Sequence, residues 1–173
     1  MKCRVFAVTL LVLIGSSFKA IATTPAHPIF IGTQMIVVAF SVVSDDHNLV
    51  SSVPALQIQR DIAKHISSRL SRNGIPIPVA DLSHYKDPPE GVLPQNVLMA
   101  FVRVDVASQE GRLTLTGAIS TWIRRDIDSF VSNEPATFFW ADNDPADLQA
   151  RVKEEAIEQV ERSIISPIIV LAK

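Results

Sequence analysis

The chain has 173 residues, a formal net charge of −2 and 47% hydrophobic residues, enough for one domain with its own core. That sign of charge gives no electrostatic basis for binding DNA or RNA, and no polybasic run is present to seat on anionic lipid. The one cysteine, Cys3, lies at the extreme amino terminus, so neither disulfides nor thiolate chemistry are expected in the folded part.

Lys2 and Arg4 precede an apolar run from Val5 to Gly15, and the small, polar "SSFKAIA" follows with Ala20 and Ala22 in an A-x-A arrangement. This is the order of a secretory signal. A membrane-spanning helix needs roughly 20 apolar residues; the run is shorter, so removal after Ala22 is expected instead of anchoring. Thr23, not a lipid-accepting cysteine, stands after the cut. The expected organisation is a signal peptide over residues 1–22 and a single domain over 23–173, periplasmic or secreted, with no stable membrane anchor after cleavage. Losing Lys2, Arg4 and Lys19 makes the remainder more negative. His27 would then be too far from the new terminus for an amine-plus-imidazole metal site, with Pro25 removing a backbone donor between them.

"MIVVAFSVV" from Met35 to Val43 is a nearly continuous apolar run rich in β-branched residues, which predicts a strand buried on both faces. The segment "SDDHN" reads as a polar loop. Ser51, Ser52 and Pro54 then supply a helix start, and Ile58, Ile62, Ile66 and Leu70 recur every four residues to give the helix one apolar stripe. Gly74 is the expected left-handed cap residue. The prolines between Ile75 and Pro94 exclude a long helix and leave at most a short edge strand near "IPIPVADL". The loop "SHYKDPPEGVLP" after it is long enough to merit functional scrutiny.

Alternation is clearest from Val97 to Arg125. Leu98, Ala100, Val102, Val104 and Val106 share one strand face and Met99, Phe101, Arg103 and Asp105 the other. After a turn at Gly111, Leu113, Leu115, Gly117, Ile119 and Ile123 alternate with Thr114, Thr116, Ser120 and Trp122, which predicts an antiparallel hairpin. "ATFFW" from Ala136 to Trp140 reads as a further short strand. Asp144, Pro145 and Asp147 form a capping signal for a last helix, striped by Leu148, Val152, Ala156, Val160 and Ile164. Arg151 with Glu155 and Glu158 with Arg162 are placed for i, i+4 pairs, and Pro167 breaks or kinks the helix.

These elements predict an α+β two-layer sandwich: an antiparallel or mixed sheet of about four strands with two amphipathic helices on one face. In order of elements the chain is similar to small periplasmic domains of envelope transport and assembly machines, such as auxiliary subunits of lipid exporters. No residue motif accompanies that similarity.

Catalytic grammar is sparse. Asp45, Asp46, His47, His84 and the acids of "DNDPAD" match no metal-ligand spacing, neither H-E-x-x-H nor a calcium loop. There is no G-x-S-x-G elbow for a serine nucleophile and no phosphate-binding loop, and no cofactor is expected. The most credible contact patch is the hairpin end "WIRRD" with Trp122, Arg124 and Arg125, residue types that carry interface energy. The expectation is a non-catalytic exported protein that binds an envelope protein partner or an apolar ligand, accessory to transport or assembly. The alternative is a small periplasmic hydrolase or metal-dependent enzyme using His47 or His84.

Overall fold

The computed structural model describes residues 28–108, 114–125, 130–131 and 134–173. The signal segment, its cut, His27 and the hairpin tip at Gly111 lie outside the described residues. The architecture is the expected α+β class: a mixed sheet with helices packed on one face.

β1 (Met35–Val43) is central, and its first four residues are all buried. The polar stretch after it is not wholly a loop. A short helix α1 (His47–Ser52) forms there, because the Asp46 carboxylate accepts the Asn48 amide at 2.8 Å and caps it. The long helix α2 (Ala55–Arg72) therefore starts afresh at Pro54. Its stripe of Ile58, Ile62, Ile66 and Leu70 is fully buried, or nearly so. Gly74 takes φ +72°, and the Ile75 and Gly74 amides bond the carbonyls of Leu70 and Ser71, a complete Schellman closure.

β2 (Val79–Asp81) pairs parallel with β1, and β3 (Val97–Ser108) pairs parallel with β1 on its other side. The connection from β2 to β3 must therefore cross β1. It crosses on the face opposite the helices, where Tyr85 and Val92 pack against Met35, Val37, Val97 and Met99. The proline-rich loop is thus a cover for one half of the sheet's second face.

β4 (Thr114–Arg124) returns antiparallel to β3. Two strands then share the next position, β5 (Phe130–Val131) and β6 (Thr137–Asp142), both antiparallel to β4. The sheet has six strands in five positions, more than the four expected, because the edge strand is interrupted. Between the pairs Ile123–Val131 and Ile119–Thr137 the register shifts by two residues. Buried Gln159 fastens it: its amide donates to the Pro135 carbonyl at 3.1 Å and its oxygen accepts from Thr137 at 2.6 Å.

α3 (Pro145–Val160) is capped by Asp144, whose carboxylate accepts the Asp147 amide. The Asp147 carboxylate does not close a capping box but accepts the Asp142 amide at 2.7 Å, tying strand to helix. Pro167 does not end the helical path. A π-helical turn (Glu161–Ile165) feeds α4 (Ser166–Leu171), and the extra residue per turn lets Ile164 and Ile165 both face the core. Glu158 pairs with Arg162 at 2.5 Å as expected, whereas Arg151 reaches Glu154, not Glu155, at 3.4 Å. Across the helices, Lys153 pairs with Asp61 and Glu161 receives both His65 and Arg69.

The main core lies between α2, α3 and one sheet face: Ile36, Val38, Leu98, Ala100, Val102, Leu115, Ile119 and Phe139 meet Ile62, Ile66, Leu148, Val152 and Ile164. No helix among the described residues is long and apolar enough to cross a membrane.

Candidate functional site

Strand alternation sends every second side chain of β3, β4 and β6 away from the helices. Beyond the reach of the proline-rich cover, that second face carries no packed element among the described residues. Trp122, 42% exposed, stands directly across from Phe101 in the β3–β4 ladder. Phe138 and Trp140, 72% and 68% exposed, stand across β4 from Ala118 and Thr116. Small residues on β4 therefore leave the two β6 rings standing proud. Both tryptophans of the chain lie on this face. Large exposed aromatics on one face make it a candidate interaction surface, whereas single exposed apolar residues are ordinary.

Two hollows flank the aromatic rings. One of about 340 Å³ is lined by Asp105, Ala107, Thr116, Ala118 and Phe138. The other, of about 430 Å³, is bounded by Tyr85, Met99, Phe101 and Arg124. Between them Arg103 forks onto its neighbour Asp105 at 2.6–3.0 Å, and that hydrogen bond and charge raise the arginine's pKa. The surface is thus apolar and aromatic with its central charges already paired.

The sequence patch Trp122, Arg124 and Arg125 divides in two. Trp122 and Arg124 lie on the helix-free face. Arg125 is turned to the other task of binding main chain: its guanidinium donates to the carbonyls of Ile29, Ile31 and Gln95 and to the Asn96 side chain. It clamps the amino-terminal turn to the start of β3. Phe138 and Trp140 were not singled out by sequence, since in "TFFWA" four apolar residues run together and nothing polar marks the faces. The signal that was available is Gly117, a strand glycine that asks for a large neighbour.

His84 and His47 do not come together with a nucleophile in a relay. At the end of β2, the Asp81 carboxylate accepts the Ser83 amide at 3.1 Å, the Ser83 hydroxyl, and His84 Nδ1 at 2.9 Å. Gln59 Nε2 reaches the same carboxylate at 3.5 Å. Burial works against the carboxylate's charge, but the hydrogen bonds from Ser83 and His84 outweigh it and hold Asp81 at about 2. Ser83 and Asp81 both meet the same imidazole nitrogen, Nδ1, whereas a serine relay needs one partner on each ring nitrogen. The cluster is a turn closed around Asp81. His47 opens α1, its neighbour Asp46 caps that helix, and Asp144 caps α3. Among the described residues no three His, Cys, Asp or Glu side chains converge as metal ligands do.

No family model and no curated protein matches the chain. Solved structures with a similar arrangement include a PelC dodecamer from Paraburkholderia phytofirmans, at 11% identity and TM-score 0.41 over 79% of this chain and 89% of that one. The hypothetical protein CT253 from Chlamydia trachomatis aligns at 12% identity and TM-score 0.38 over 81% and 99%. The rare lipoprotein B from Shewanella oneidensis aligns at 14% identity and TM-score 0.34 over 79% and 92%. These are distant likenesses of fold and say nothing of what this chain binds.

Proposed function

We propose that this chain is an exported, non-catalytic protein of the cell envelope that holds a protein partner or an apolar ligand on the helix-free face of its sheet. The observation that carries the reading is that Trp122, across from Phe101, and Phe138 and Trp140, farther along β4, all stand out of that one face. Aromatic side chains lose little conformational entropy when they are covered, and each covers a large area. The amino-terminal signal pattern supports export, and a role accessory to transport or assembly fits a binding module without a catalytic relay.

Because both tryptophans lie on the proposed surface, intrinsic fluorescence reports on it directly. Titration with an apolar probe such as 1-N-phenylnaphthylamine, or with a purified envelope fraction, is expected to shift tryptophan emission and to protect it from acrylamide. Trp122→Ala is expected to weaken the interaction at least tenfold, about 1.4 kcal/mol, while leaving the melting curve nearly unchanged. Emission and quenching that stay unmoved by every probe and fraction would sink the reading.

A further inference from the structure

Among the described residues nothing pairs with the outer side of the edge strand β6, and the pattern of its backbone groups is self-complementary. The Ile36 amide bonds Pro78, and the Val38 carbonyl accepts from Leu82, so even-numbered β1 residues face β2 and odd-numbered ones face β3. Following the registers outward, even residues of β3 face β1, odd ones face β4, and the odd residues of β4 face β6. Thr137, Phe139 and Ala141 therefore bond to β4, while Phe138, Trp140 and Asp142 direct their main-chain groups outward. The Asp142 amide confirms the parity, since it is given to the Asp147 carboxylate and not to the sheet. What remains is the N–H and C=O of Phe138 and of Trp140, with no main-chain partner among the described residues.

Natural sheets blunt such edges with lysine, proline, a bulge or a covering element. The opposite edge, β2, follows that rule: it is three residues long and ends in a turn. Thr137 to Ala141 carry none of these devices.

We propose that β6 pairs antiparallel with β6 of a second copy of this chain about a two-fold axis at Phe139. In that register Phe138 of each copy faces Trp140 of the other. The two free N–H and two free C=O groups of each strand are then all used, with none left over. The facing side chains on the open face become two Phe–Trp cross-strand pairs, a favoured combination. Thr137 meets Ala141 on the other face, and Asp142 meets Ala136, so no like charges are opposed. A slip of one residue would bring side chains of opposite faces together. A slip of two about Trp140 would call on the Asp142 amide that Asp147 already holds. The result is one sheet continuous through both copies, with the aromatic faces joined across the seam. This does not depend on the binding role proposed above.

The test uses protein purified from cells expressing the full chain. Sedimentation is expected to give twice the mass of one chain. Trp140→Pro removes an amide that β4 does not use, and is expected to yield a monomer with its circular dichroism unchanged. In a Cys3→Ser background, mixing Phe138→Cys with Trp140→Cys under mild oxidation is expected to give a covalent dimer in much higher yield than either variant alone. A monomer at every concentration overturns the proposal, as does a dimer that survives Trp140→Pro. Equal cross-linking of each variant with itself overturns the register, and a different polypeptide held stoichiometrically at β6 in place of the second copy overturns self-pairing. Probe binding by the parent protein, measured beside its sedimentation, separates failure of this pairing from failure of the binding surface.

Discussion

Phe139 lies across Gly117. The two residues are paired in the β4–β6 ladder, and a β-carbon at Gly117 would stand 2.1 Å from the Phe139 ring. The ring fills on the helix side the space that the glycine leaves. By alternation this lock forces Phe138 and Trp140 to the open face, so a buried contact sets the geometry of the candidate surface. Gly117→Ala is expected to destabilise by about 3 kcal/mol, as overpacking does. Combined with Phe139→Ala it is expected to cost clearly less than the two single losses added together. Chemical denaturation of the three variants checks this, and additivity would show that the contact does not bind the two sites.

Acid sensitivity should trace to Asp81. Its folded pKa of about 2 lies below the ordinary 3.8, so ionised Asp81 stabilises the fold fully above the unfolded value. That contribution fades as pH falls from about 5 toward 2, through the folded value. The carboxylate is largely buried, but its partner His84 is 64% exposed, so solvent screening reduces the full shift to about 1–2 kcal/mol. Asp81→Asn is expected to lose that amount at pH 7 and to match the parent protein near pH 2. Urea midpoints across that range decide it; parallel curves for parent and variant would remove Asp81 from the account.

Gln59 links the same turn to the core. Its side-chain oxygen accepts the Phe40 amide at 3.0 Å, where β1 has run past the end of its β2 partner. Gln59→Leu keeps the volume and orphans that buried amide, with an expected cost of about 1–3 kcal/mol. Faster hydrogen exchange confined to Phe40 and its neighbours would mark the effect as local.

Arg125 should behave as a structural clamp rather than a contact. Arg125→Ala removes donors to the Ile29, Ile31 and Gln95 carbonyls, at an expected cost of about 2 kcal/mol for charge-assisted bonds. Hydrogen exchange is expected to accelerate over residues 28–33 and 94–97. Partner or probe affinity should remain near that of the parent protein, and a loss of binding with unchanged stability would return Arg125 to the interface.

Much of this was legible in the residues, for identifiable reasons. The stripes Ile58–Leu70 and Leu148–Ile164 repeat at helical spacing and proved buried, and the Val97–Arg125 alternation assigned Trp122 to the correct face. The order of strands was not legible, because a continuous apolar run such as Met35–Val43 does not say which neighbours it takes. Nor was the edge: "ATFFWAD" lacks the polar alternation that separates faces, and only its pairing with Gly117 resolves it. The short helix α1 escaped notice because it buries no residue and is announced only by its Asp46 cap.

The proposed binding surface is the helix-free face of the sheet. A photo-reactive residue placed at Trp122, with a control at Arg60 on the exposed side of α2, tests it in living cells. A discrete adduct is expected from position 122, diminished by Phe101→Ala, and none from position 60. Adducts from position 60 alone would contradict it.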